Sequence, residues 1–151
     1  MTVIDNVLER LDFGECLNGN AASVSATSIG QTTIISVKGE IDVSNADFTA
    51  TVLNGFATWN GKVVADLSEL DFIGTHGLRL LVEFHDRCRR SNTVMAVVPG
   101  RMLRRLLQVI DIGRHIPVAD SVHDAVQYVQ ESVAPADRQT FTRVAPEKLR
   151  C

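Results

Sequence analysis

The sequence predicts an α/β fold: a mixed sheet of about five strands with helices packed on it. Three observations lead there. Short runs rich in valine, isoleucine and threonine occur at residues 32–38, 63–65 and 93–98, and such runs are strand signals. Stretches with apolar residues near the helical period follow them, at 46–58, 78–88, 101–110 and 122–133, which predicts helices with one buried side. Turn dipeptides such as Asn60-Gly61 and Pro99-Gly100 separate the two kinds. The resulting order is β β α β α β α β α. Repeated strand–helix alternation implies parallel neighbours joined by crossover helices.

Composition narrows the class. A length of 151 residues suits one domain with a real core. Apolar residues make up 45% and charged residues 22%, which excludes a disordered chain. A net charge of −3 gives no electrostatic footprint for nucleic acid. No apolar run approaches the roughly 20 residues of a membrane span. Asp5, Glu9 and Asp12 near the start do not fit a secretory signal, so a cytoplasmic location is expected. Cys16, Cys88 and Cys151 stand far apart in no metal-ligand spacing, as expected of reduced thiols. A redox crosslink between Cys16 and Cys151, near the two ends, is the sharper alternative. No metal or cofactor is expected.

Along the chain, residues 2–11 read as a short helix, because Val3, Val7, Leu8 and Leu11 recur near its period. Residues 12–22 read as a connector, so 1–22 form an N-terminal extension. Residues 23–28 alternate weakly, as an edge strand would. They form a hairpin with 32–38 through a turn at Ile29-Gly30-Gln31. Gly39-Glu40-Ile41-Asp42 and Ser44-Asn45 then lead into the helix over 46–58. The run at 63–65 is a central buried strand, and Gly74 and Gly77 flank Thr75 and His76 in the loop after it. The next helix carries Leu78, Leu81, Val82 and His85 as a stripe, widened by Leu80, Phe84 and Cys88. Thr75 falls in its N-cap region, where unpaired backbone N–H groups favour negative charge, phosphate included. A strand at 93–98 and a helix at 101–110 follow, with Arg101, Arg104 and Arg105 turned outward. Pro117 interrupts a short edge strand at 115–118. The helix at 122–133 closes the domain, which spans 23–133, and 134–151 read as a polar tail.

The chain carries no Walker loop, no Gly-x-Gly-x-x-Gly and no Gly-x-Ser-x-Gly elbow. Thr75 and His76 are adjacent on a tight loop with no third orienting group, a poor basis for a nucleophile–base pair. His85, His115 and His123 are unclustered, and His85 reads as a surface or half-buried side chain. An enzyme is not expected.

The stretch 66–78, DLSELDFIGTHGL, resembles the signature of the STAS domain, as in bacterial anti-sigma factor antagonists. Gly39-Glu40-Ile41-Asp42 resembles the Gly-Glu-Leu-Asp of the same domains. The resemblance covers roughly residues 23–133 and implies a STAS-like sheet. It places Thr75 on the phosphoacceptor, His76 on a second hydroxyl position and Gly77 on the family's glycine. Gly74 stands where the family has an aspartate. The partner it implies is an anti-sigma factor of the serine kinase type. That partner would dock on Glu40, Asp42, Ser44, Gly74, His76 and Gly77, and its capture would free a sigma factor. Phosphate on Thr75 would end the binding. His76 adds an imidazole able to hydrogen-bond that phosphate. A sensing or scaffold module is the alternative, binding a small ligand or other STAS proteins without phosphorylation. Either reading leaves room for a homodimer.

Overall fold

A computed structural model describes residues 9–15, 22–57, 61–110 and 115–132. Its first strand, β1 (Glu9–Glu15), lies where the sequence predicts the end of a helix and the start of a connector. It pairs antiparallel with β2 (Ala22–Ile29), from Glu9 opposite Ser28 to Glu15 opposite Ser23. For residues 9–11, the described part of that expected helix, helical spacing is outweighed by the hydrogen-bonding groups along β2, which pairing satisfies. The rest of that expected helix, residues 2–8, lies outside the described residues. β2 is therefore an interior strand and not the expected edge.

Gly30 takes φ +60° in the turn, and the register from Ile29 opposite Thr32 to Ala22 opposite Gly39 joins β2 to β3 (Thr32–Ile41). A left-handed backbone of this kind favours glycine. After β3 come α1 (Ala46–Asn54) and β4 (Lys62–Leu67). β4 lies parallel to β3, with Thr32 opposite Lys62 and Ser36 opposite Asp66. Gly39, at φ +97°, starts the part of β3 that takes β5 (Leu70–Ile73) as its parallel neighbour, with a register shift between Gly39 and Glu40. β5 was not expected, because the sequence reading ran from the central strand directly into a loop. β6 (Val94–Pro99) pairs parallel with β4 along its whole length. The sheet is six-stranded, in the order β1-β2-β3-β4-β6 with β5 on β3. The expected strand at 115–118 reduces to one bridge between Val118 and Val97. There the Val97 N–H donates to the Pro117 carbonyl at 2.9 Å, and the Ala119 N–H donates to the Val97 carbonyl at 2.9 Å.

Three helices cover one face: α1, α2 (Thr75–Arg90) and α3 (Arg101–Val109). The other face carries α4 (Val122–Glu131), whose start is capped by the Ser121 hydroxyl accepting from the Asp124 N–H at 3.0 Å. β6 shows how one apolar run serves both. Met95 and Val97 join the core under α1–α3, whereas Val94, Ala96 and Val98 join Ala125 and Val129 of α4. Side chains alternate along a strand, so a strand covered on both sides reads as continuously apolar. Among the described residues no helix is long and apolar enough to cross a membrane.

Buried at the start of β3, Thr32 keeps its hydroxyl without a hydrogen-bond partner. Valine has the same shape without the polar atom. Thr32→Val should therefore stabilise the fold by about 1 kcal/mol. A urea midpoint below that of the wild type would show that the hydroxyl is satisfied in solution.

Candidate functional site

Both sequence motifs converge at the carboxyl ends of β3 and β5. Ile41 lies opposite Ile73, and the Gly74 N–H donates to the Ile41 carbonyl at 2.9 Å. Asp42 thus begins its loop one residue beyond the carbonyl that holds Gly74. Gly74 is the N-cap of α2, with φ −90° and no side chain to cap the helix, and Thr75 is the first helical residue rather than the cap. The first intrahelical bond runs from the Leu78 N–H to the Gly74 carbonyl at 3.0 Å. Thr75 and His76 are both exposed on this turn, and Gly77 is buried beneath it.

Gly77 sets how closely α2 sits on the sheet. A Cβ there would stand 2.5 Å from Ile73 Cγ1 and 2.9 Å from Ile41 Cγ2. Any larger residue would lift the first turn of α2, and Thr75 with it, away from the β3–α1 loop. Gly74 differs. Its Cβ would meet the Phe72 ring at 3.4 Å and the Ile41 carbonyl oxygen at 3.8 Å, which is ordinary contact. Gly74→Asp therefore fits and supplies a carboxylate to a helix with no acidic residue in its first turn. It should raise stability by about 0.5–1 kcal/mol through capping and the helix dipole. Thermal unfolding at low salt tests this, and a lowered midpoint would contradict it.

The β3–α1 loop is held by its own polar groups. Asp42 Oδ1 accepts from the Ser44 N–H at 2.9 Å and from the Ser44 hydroxyl at 2.6 Å. The same arrangement recurs after β4, where Asp66 Oδ1 accepts from the Ser68 N–H at 3.1 Å and its hydroxyl at 2.7 Å. These are Asx turns, in which a carboxylate bonds its own backbone two residues on. Asn45 was read from sequence only as part of the lead-in to a helix, and it proves central. It is 1% exposed. Its Oδ1 accepts from the Asp42 N–H at 3.0 Å, and its Nδ2 donates to the Glu40 carbonyl at 2.8 Å. The signal available was an asparagine in a polar loop just before a helix. Glu40 and Ser44 are exposed, and Asp42 is half-buried.

Sequence reasoning also missed the apolar side chains of the region. Val43 is 69% exposed, Phe48 38% and Phe72 46%. They belong to the β3–α1 loop, the first turns of α1 and the end of β5, next to the acidic residues Glu40, Asp47 and Asp71. Exposed apolar groups set among charges are a common mark of an interaction surface.

The remaining candidates lie elsewhere. Cys88 is on the buried side of α2, and burial pushes its thiol up to about 12, with the Arg87 charge acting against this. A thiol held neutral in this way is unreactive. Cys16 and Cys151 lie outside the described residues. His85 is buried, not on the surface, because the buried side of α2 runs through Gly77, Leu80, Leu81, Phe84, His85 and Cys88. Burial lowers its pKa to about 4, assisted by the Arg89 and His115 charges and opposed by Asp86. Arg104 pairs with Asp120 at 3.2 Å, and Arg101 and Arg105 are exposed on α3.

The site is thus a helix starting at a Gly-Thr-His-Gly turn beside an acidic loop, at one end of a mixed α/β sheet. Residues 23–125 match the family model described as STAS domain. The chain belongs to the STAS domain family. It is 29% identical over 105 residues to Osmosensory protein A of Mycobacterium tuberculosis, across 67% of this chain and 66% of that protein. With Anti-sigma-F factor antagonist RsfB of the same species it shares 26% identity over 98 residues, 64% of this chain and 80% of that one. The chain thus spans just under two thirds of the first relative and four fifths of the second. The crystal structure of an anti-sigma factor antagonist from Mycobacterium paratuberculosis superposes with a TM-score of 0.68 at 23% identity, covering 75% of this chain and 97% of that chain. Relatives named as anti-sigma factor antagonists thus accompany both the sequence and the fold.

Proposed function

We propose that this protein is an anti-sigma factor antagonist, one that binds an anti-sigma factor of the serine kinase type and thereby frees a sigma factor. The carrying observation is the bond from the Gly74 N–H to the Ile41 carbonyl, which sets the exposed Thr75 beside the Glu40–Ser44 loop. The partner would cover Glu40, Asp42, Ser44, Gly74 and His76, with Val43 and Phe72 as apolar contacts, whereas Gly77, expected from sequence as a contact, is buried and supports the turn from beneath. Acidic groups on this rim suit a partner with basic side chains around its nucleotide site. The relatives named as antagonists support the same reading.

Phosphorylation of Thr75 supplies the switch. The partner transfers the γ-phosphoryl group of ATP to Thr75 Oγ1. The bond from that phosphorus to the ADP oxygen breaks, the bond to Oγ1 forms, and the hydroxyl proton leaves to a base on the partner or to water. The product carries roughly −1.5 to −2 charges in a rim already rich in carboxylates. Repulsion and desolvation then oppose docking, with no refolding of the domain. Intact mass before and after incubation with candidate kinase partners and ATP-Mg tests the step. A gain of one phosphate in the wild type and none in Thr75→Ala is expected. A stable complex without any gain would refute the switch and leave a constitutive antagonist.

The name of Osmosensory protein A, with Gly74 in the aspartate position, favours a second reading. In it the domain is a sensing or scaffold module whose rim binds a ligand or another STAS protein without phosphorylation. Absence of both a mass gain and a kinase complex would select it.

A further inference from the structure

The exposed side of α2 carries Thr75, Arg79 and Glu83 at a spacing of four residues. Residues four apart on a helix are surface neighbours. All three are exposed, and Arg79 enters none of the ion pairs found among the described residues. Helical side chains lean toward the N-terminus of their helix. Arg79 is therefore within reach of Thr75 across the first turn, and Glu83 within reach of Arg79. A negative group four residues before a positive one is the favourable order, and the reverse order is weaker. Arg79 thus has a weak neighbour behind it and, with Thr75 unmodified, an uncharged one in front.

We infer that Arg79 is the residue that holds the phosphate on Thr75. The guanidinium binds the phosphoryl oxygens across one helical turn, so modification clamps the start of α2. The inference rests on Thr75 being the modified residue and adds what happens to the phosphate afterwards. A guanidinium meets a phosphate through parallel N–H donors, which gives the pair a fixed geometry that a lysine cannot reproduce fully. Charged groups on the surrounding elements are His76 and Glu83 on α2, Glu40 at the end of β3, Asp42 just after it, Asp47 on α1 and Asp71 on β5. The carboxylates among them push the phosphate away from the rim, and Arg79 draws it along the helix. The modified state is then a defined conformation of the surface, able to present a phosphate to a hydrolysing enzyme.

The test uses full-length protein with phosphothreonine installed at position 75 during translation, so no kinase is involved. Phosphorus NMR then follows the second ionisation of the phosphate, which is about 6 for a free phosphoryl group. In the wild type it should fall relative to Arg79→Gln by about half a unit or more, the size expected of one close, partly solvated ion pair. Arg79→Lys should recover part of the shift, and Glu83→Gln should enlarge it. Identical titrations for the wild type and Arg79→Gln would overturn the inference. That outcome differs from absence of Thr75 phosphorylation by a partner, which the mass experiment reads and which would remove the proposed switch instead.

Discussion

Asn45→Ala should destabilise the domain by about 2–3 kcal/mol, with roughly 1 kcal/mol from each of two lost hydrogen bonds and the rest from the space left behind. The side chain is 1% exposed, so water does not replace it at that point. The Asp42 N–H would lose its acceptor and the Glu40 carbonyl its donor. Both losses fall on residues proposed to meet the partner, so affinity should drop further than stability alone explains. Asn45→Asp separates the two bonds, since it keeps the acceptor and removes the donor. Its cost should also be large, because a charge is brought into a buried place. Urea unfolding reads the stability, and exchange of the Asp42 amide reads the loop. An Asn45→Ala protein within about 0.5 kcal/mol of the wild type, the range of ordinary surface substitutions, would contradict the role assigned to this side chain.

Acid should weaken the fold through His85. Burial holds its folded pKa at about 4, below the ordinary 6.5. Between those values the unfolded chain takes up a proton that the folded chain refuses. Stability contributed by the neutral ring is therefore complete above the unfolded value and is lost as pH falls through the window toward the folded one. The full loss is about 3 kcal/mol, at about 1.4 kcal/mol per pH unit. His85→Leu keeps an apolar side chain of similar size and cannot titrate. Its stability should be nearly flat from neutrality down to the point where carboxylates begin to protonate. Chemical unfolding of both proteins at several pH values tests this, and parallel curves would refute it.

Much of the architecture could be read from the chain, for identifiable reasons. β3, β4 and β6 are rich in β-branched residues, and α2 and α3 keep an apolar side at regular spacing, so local preference and tertiary role agree. β1 failed that agreement. Glu9–Glu15 contains no β-branched residue, and only the partner strand makes it a strand. β5 failed for shortness: four residues with Leu70 and Ile73 inward and Asp71 and Phe72 outward follow neither simple period. The same feature hid Phe72, whose exposure depends on a strand the sequence did not announce. Thr75 and the Gly39–Asp42 segment were legible as motifs, whereas their adjacency depends on the Ile41–Gly74 bond. Asn45 acts through two backbone groups, and backbone groups leave no trace in a residue pattern.

The handover along β3 also governs when the rim comes into being. The β2–β3 hairpin is local and closes through two residues, a microsecond event in small systems. β4 and β5 must each travel back across a crossover or turn before they find β3, and such non-local pairing is slow. β5 docks only from Gly39 onward, and Gly74 meets the Ile41 carbonyl only once it has docked. A nascent or misfolded chain with the hairpin but without β5 would carry the same motif residues yet offer no assembled surface. Under the proposed function, recognition then reports completion of folding, and immature copies leave the partner unbound.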